Sequence, residues 1–330
     1  MKKILLLLIP FIMVMAACAS PTAEEQNNEE KLTVYSTVYP LQYFTERIGG
    51  ELVDVKTIYP PGADEHTFEP SQKEMIAIAD ADLFIYLGLG LEGFVDNAKN
   101  TLKNENVTMI PAGENIHLED AKTEDEHEGH SHEEHGEEEH DHDHAHGEDG
   151  HEHHHHGDVD PHVWIDPLYS KELAESIKNA LINNMPEEEK TLNANYEKLA
   201  AELDELNNEF TKVTNEAKNK KFIVSHAAFG YWEERYGLEQ ISISGLSTSS
   251  EPSQKELQKI IDDAKEHNLD YIFFEQNVSS KLTEIIQTEI GAEPLTIHNL
   301  SVLTQEDIDN EENYFTLMNK NIENLNKALN

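Results

Sequence analysis

The chain has a single cysteine, few basic residues and no long apolar run beyond its first 17 positions, and each shortage excludes something. One cysteine, Cys18, forbids an intrachain disulfide. Only 24 Lys and Arg stand against 66 Asp and Glu in 330 residues, a formal charge of −42. Nucleic acid is excluded as a partner, because binding phosphate needs a basic footprint. Without a later apolar run the bulk of the chain does not span a membrane. No P-loop pattern occurs, so any ATP-driven step belongs to another chain. Apolar residues make up 38%, diluted by one very polar stretch, and what remains is enough for two ordinary domains. Histidine is plentiful: 19 in all, 13 of them between His127 and His156.

The amino terminus reads as an export signal. Lys2 and Lys3 precede an apolar stretch, Ile4 to Ala17, that is short for a transmembrane span. Met15-Ala16-Ala17-Cys18 resembles a bacterial lipobox, with Met15 in place of the usual Leu. The expectation is a signal peptide over 1–17, lipid on Cys18 and a polar tether over 18–31. The protein would then sit at the cell membrane, lipid-anchored on its extracytoplasmic face.

Beyond the tether, strand-like runs alternate with helical ones. Leu32–Thr37, Leu52–Tyr59, Leu83–Leu87 and Val107–Ile110 read as strands, and Ser71–Asp80 as a helix opened by a Ser71/Glu74 capping box. The second half repeats the grammar. Lys221–Ser225, Gln240–Ser244, Tyr271–Phe274 and Pro294–Ile297 read as strands, and Ser253–Glu266 as a helix with a Ser253/Glu256 box. Glu-Pro-Ser-Gln-Lys-Glu even recurs verbatim, from Glu69 and from Glu251. Between the halves, Glu187–Asn219 lacks Gly and Pro and carries Leu192, Tyr196, Leu199, Leu203, Leu206 and Phe210 at helical spacing. Another helical pattern closes the chain over Asn313–Leu329. The fold expected is α/β, with two similar lobes, each a mainly parallel sheet flanked by helices, joined by one long rigid helix. The lobes are assigned to 32–186 and 220–330, with the linking helix over 187–219.

Residues 119–160 hold 18 acidic residues and the 13 clustered histidines. This composition cannot build a core and predicts a disordered insertion that captures transition-metal ions loosely. Its candidate ligands are His127, His130, His132, His135, His140, His142, His144, His146, His151, His153, His154, His155 and His156. His151-Glu152-His153-His154-His155 matches the H-E-x-x-H pattern of zinc peptidases. In a histidine run among glycines the match arises by chance, without the helix that chemistry needs.

Six histidines lie elsewhere. His66 follows a predicted strand, in Pro60-Pro61-Gly62-Ala63-Asp64-Glu65-His66-Thr67-Phe68-Glu69-Pro70. His162 lies in Asp160-Pro161-His162-Val163-Trp164-Ile165-Asp166-Pro167, and His226 ends a strand in Ser225-His226-Ala227-Ala228-Phe229-Gly230-Tyr231. Glu275 ends another, after Phe273-Phe274. Ligands of open α/β sheets gather at the carboxyl ends of strands. Three imidazoles and one carboxylate suit tetrahedral Zn²⁺. His267 and His298 read as surface residues, and His117 carries no assignment.

In order and in sequence these elements resemble the metal-binding solute receptors of bacterial ABC importers, the group that serves zinc and manganese. Phe273 to Lys281, Phe-Phe-Glu-x-Asn-Val-Ser-Ser-Lys, completes the set, and the resemblance spans the mature chain. It implies one ion in the cleft between the lobes, with His66 and His162 from the first and His226 and Glu275 from the second. Manganese members typically present Glu and Asp at the last two positions, so His226 and the histidine tract point to zinc. Glu65, where many members have Pro, is a spare ligand. The implied function is high-affinity capture of Zn²⁺ as cargo, not catalysis. Delivery would be to a permease and an ATPase on separate chains, by a receptor acting as a monomer. The alternatives are a manganese or iron receptor, a surface adhesin and, more distantly, a zinc hydrolase.

Overall fold

β1 (Leu32–Ser36) is an apolar strand with parallel partners on both sides, β2 (Val53–Thr57) and β3 (Leu83–Tyr86). β4 (Thr108–Pro111) adds to β3, giving a four-stranded parallel sheet of order β2-β1-β3-β4. Leu83, Phe84, Ile85 and Tyr86 are all buried, as a strand covered on both faces requires. α1 (Tyr39–Gly49), α2 (Gln72–Ala79) and α3 (Val95–Leu102) make the connections within this sheet. The computed structural model describes residues 31–118, 159–250, 252–276 and 281–330. The signal segment with Cys18 and the histidine tract lie outside the described residues.

α4 (Pro167–Asn184) and α5 (Glu189–Glu216) then pack against each other and against α1. α5 is the expected long helix, 28 residues and so about 42 Å. It is shorter than the sequence pattern at both ends. Pro186–Glu188 forms a 3-10 turn ahead of it. Beyond it, the amides of Lys218 and Asn219 bond to the Leu329 carbonyl, at 3.1 and 3.0 Å.

The second lobe contains β5 (Lys221–His226) paired with β6 (Glu239–Ser244), and β7 (Tyr271–Glu275) paired with β8 (Glu293–Ile297), both in parallel. β5 lies alongside β7, so His226 and Glu275, the last residues of their strands, are neighbours. α6 (Gly230–Tyr236), α7 (Gln254–Glu266), α8 (Lys281–Ile290), α9 (Gln305–Asp309) and α10 (Tyr314–Ala328) complete the chain. Both capping boxes form: Ser71 donates its amide to Glu74 at 2.6 Å and Ser253 to Glu256 at 2.6 Å. One apolar core runs from the first sheet through α4 and α5 to Phe222, Trp232 and Phe273. A smaller cluster of Ile223, Ile243, Ile272 and Ile286 packs in the second lobe against residues of α7 and α8. Tyr314 of α10 is fully buried and its hydroxyl donates to the Trp164 carbonyl at 2.8 Å, tying the last helix to the first lobe. Among the described residues no helix is long and apolar enough to cross a membrane.

Candidate metal centre

Two of the three histidines stand on the same local device. Asp64 Oδ1 accepts the backbone N–H of His66 at 2.9 Å, and Asp160 Oδ1 accepts that of His162 at 2.9 Å. Each is an Asp-x-His turn in which a carboxylate fixes the backbone two residues on. Asp64 reaches further: its Oδ2 accepts from Thr248 Oγ1 at 2.8 Å, in the loop after β6. The 160–166 segment is gripped from the second lobe. Tyr231 donates to the Asp160 carbonyl at 2.5 Å, Trp232 Nε1 to the Ile165 carbonyl at 2.9 Å, and Arg235 to Asp166. Trp164 Nε1 answers in the other direction, donating to the Asn299 carbonyl at 2.7 Å. The residues of Asp-Pro-His-Val-Trp-Ile-Asp-Pro thus serve both to present His162 and to hold the lobes together.

The rings converge. His162 Nε2 lies 3.3 Å from His66 Nε2 and 3.4 Å from His226 Nε2. Four donors at zinc–nitrogen distance around a tetrahedral ion sit about 3.3–3.4 Å apart, so the spacing is that of a zinc shell's edges. The far side of two rings favours one tautomer. His162 Nδ1 faces Asp160 Oδ1 at 2.7 Å and His226 Nδ1 faces Glu275 Oε1 at 2.5 Å. A carboxylate holds the proton on Nδ1, which leaves the Nε2 lone pair for an ion. Burial, and then the two neighbouring rings, push the His66 pKa down to about 4. Burial works the same way on His226, but Glu275 outweighs it and the net shift is upward.

The two acids divide differently from the sequence expectation. One ligand atom from each of Glu65, His66, His162 and His226 lies within 4.8 Å of the others, and Glu275 is not in that group. Glu275 is buried behind His226, and its Oε2 accepts from Asn299 at 3.0 Å. Glu65, the residue read as a spare, is buried with its Oε1 3.9 Å from His66 Nε2. Burial raises the Glu65 pKa, opposed by its own backbone N–H and then by the charges of His162 and His226. The place at the end of β7 brought Glu275 to the right loop cluster. Only the side-chain direction puts it outside the ring of donors.

Sequence reasoning passed over Asp64, Asp160 and Asn299. The repeated Asp-x-His spacing was a usable signal for the first two; nothing local marks Asn299. His298 is a correction. Read as a surface residue, it is 5% exposed, its Nδ1 accepts the Leu300 amide at 2.9 Å and its Nε2 faces Asp307 at 3.1 Å. Its cover comes from α10, where Asn321 bonds both the amide and the carbonyl of His298. His267 and His117 are exposed or partly so, and neither joins the centre.

Residues 34–328 match the family model described as zinc-uptake complex component A, periplasmic. The chain is 36% identical over 335 residues to the zinc-binding protein AdcA of Streptococcus pyogenes serotype M3, covering 98% of this chain but only 61% of that relative. Against the high-affinity zinc uptake system protein ZnuA of Bacillus subtilis, identity is 33%, covering 96% of this chain and 94% of the relative. The structure is similar to the Zn(II)-bound ZnuA-like domain of Streptococcus pneumoniae AdcA, with a TM-score of 0.71 and 30% identity over 91% of this chain and 99% of that one. With three inward imidazoles on a two-lobed parallel α/β frame, and a match over nearly its whole length, the chain belongs to the family of zinc-uptake complex component A.

Proposed function

We propose that this protein is an extracytoplasmic receptor that captures Zn²⁺ and hands it to an ABC permease for uptake. The observation that supports this best is the spacing of the three Nε2 atoms, 3.3 and 3.4 Å, with carboxylates holding the Nδ1 protons of two of the rings. His66, His162 and His226 bind the ion and Glu65 supplies the fourth donor; Glu275 orients His226. Three imidazoles favour Zn²⁺ over Mn²⁺, which prefers a more carboxylate-rich shell. Four protein donors close a tetrahedral shell and leave no position for a catalytic water, so the ion is cargo and the protein no enzyme.

The lobes at 32–186 and 220–330, joined by the helix of 187–219, both contribute ligands. A small relative shift lengthens several metal bonds at once, and a permease that favours the shifted arrangement releases the ion. Cys18 carries the lipid that keeps the receptor at the membrane. The histidine tract collects ions loosely, and the permease and ATPase are separate chains served by a monomeric receptor. Titration of Zn²⁺ with Mn²⁺ in competition tests the central claim. One tight site that prefers Zn²⁺ and disappears in His66→Ala, His162→Ala and His226→Ala is expected. A tight ion retained in all three variants would overturn it.

A further inference from the structure

Asn299 is fully buried in the loop after β8, between the two acids. Its Nδ2 donates to Glu275 Oε2 at 3.0 Å and to Glu65 Oε1 at 3.3 Å. Its Oδ1 accepts from Ser301 N at 3.1 Å, Ser301 Oγ at 2.8 Å and Gln276 Nε2 at 3.3 Å. The backbone amide of Ser301 can only donate, so it requires the oxygen of the Asn299 amide on its side. The NH₂ end therefore has to face the carboxylates, one proton for each. The backbone is fixed too, because Trp164 Nε1 holds the Asn299 carbonyl.

The two ties are unequal. Glu275 has both oxygens engaged, Oε1 by the ring and amide of His226 and Oε2 by Asn299. Glu65 is held by the longer Asn299 contact and by the Ser301 hydroxyl, which Asn299 Oδ1 also draws on, and it stands beside His66, so it is the acid that a cation can draw away. We propose that Asn299 is the positioning residue of this centre: its amide keeps Glu275 turned onto His226 and Glu65 beside the three rings, and so decides which acid reaches the ion. The inference rests on the zinc reading above and adds to it how the fourth donor is selected. A neutral amide suits the task, since it separates two buried carboxylates that would otherwise repel each other.

The test uses the full chain with Asn299→Ala and Asn299→Asp, each alone and combined with Glu65→Gln. Zn²⁺ affinity is measured by chelator competition. The ligand-field absorption of bound Co²⁺ is measured as a difference from His162→Ala, which subtracts ions held elsewhere. Asn299→Ala is expected to weaken Zn²⁺ by roughly 10–100-fold and to alter the Co²⁺ band. Both effects should shrink once Glu65→Gln is present, because the residue acts through that acid. If thermal unfolding shows that Asn299→Ala does not fold, Asn299→Asp is held to the same outcomes, since it keeps the acceptor for Ser301 and replaces the donor with an oxygen that repels both carboxylates. A folded variant with wild-type affinity and Co²⁺ band overturns the inference, and so does a loss undiminished by Glu65→Gln. Tight Zn²⁺ binding by His162→Ala would instead remove the centre itself, a result separate from any at Asn299.

Discussion

Oε1 of Glu275 lies 2.5 Å from Nδ1 of His226, on the side of the ring away from Nε2. An acid in that position orients a ligand and strengthens its basicity without touching the ion. Glu275→Gln should therefore weaken Zn²⁺ by roughly 10–100-fold while leaving the Co²⁺ band near wild type in shape. Glu65→Gln should change the band itself. Equal spectral changes in the two variants would contradict the division of roles.

Proton competition gives the pH dependence. The His226 pKa is raised by Glu275, so this ring is the first of the two shifted rings to charge as pH falls, and Zn²⁺ must displace that proton. His66 is held down to about 4 and charges after His226. Apparent Zn²⁺ affinity should already be falling at the ordinary histidine value of 6.5, because His226 is shifted above it, and should fall more steeply as pH approaches the His66 value. The metal-free fold responds to the same His66 shift. His66, with a folded pKa below its unfolded value of 6.5, contributes stability above that value and loses it as pH falls toward about 4. Zn²⁺ affinity that stays flat between about pH 7.5 and 5 would sink the histidine assignment.

Gly230 is needed for space. A Cβ there would lie 2.9 Å from Asp160 Oδ2 and 3.4 Å from Gln240 Nε2. Asp160 holds His162 by both its amide and its ring, so Gly230→Ala should push the carboxylate off the ligand. Zn²⁺ affinity should drop by about tenfold or more, although residue 230 touches no ligand. Isothermal titration of the folded variant decides it.

Asn321 is 1% exposed and pairs with both the amide and the carbonyl of His298, each at 2.8 Å. Asn321→Ala leaves two buried backbone groups unpaired and should cost on the order of 3 kcal/mol in chemical unfolding. A change under ~1 kcal/mol would mean that water reaches them.

Deleting residues 120–157 should remove the weak ions and keep the tight one. The expected result is a fall in Zn²⁺ stoichiometry with the highest affinity unchanged. Loss of all tight binding would place the site in the histidine tract.

Much of the frame was legible because its signals are local. Strands read as short apolar runs, and Ser71/Glu74 and Ser253/Glu256 announce their helices by side chains that reach only one turn. His66, His162 and His226 were legible through their motifs. Glu275 was placed at the right strand end but not in the right direction, since the strand's position does not say which way its last side chain turns. His298 was misread because its burial depends on Asn321, 23 residues further on. Asn299 was invisible for the same reason: its partners, Glu65 and Trp164, lie 234 and 135 residues away.

The converging histidines are separated along the chain by 96 and 64 residues. No ribosome-bound or partly threaded chain can bring all three to one point until β5 has taken its place. In a chain that crosses the membrane before it folds, the centre is therefore assembled outside the cell's interior. For the exported receptor proposed above, the first ion held would be chosen from the metals of that compartment, not from the cytoplasmic pool in which the polypeptide was made.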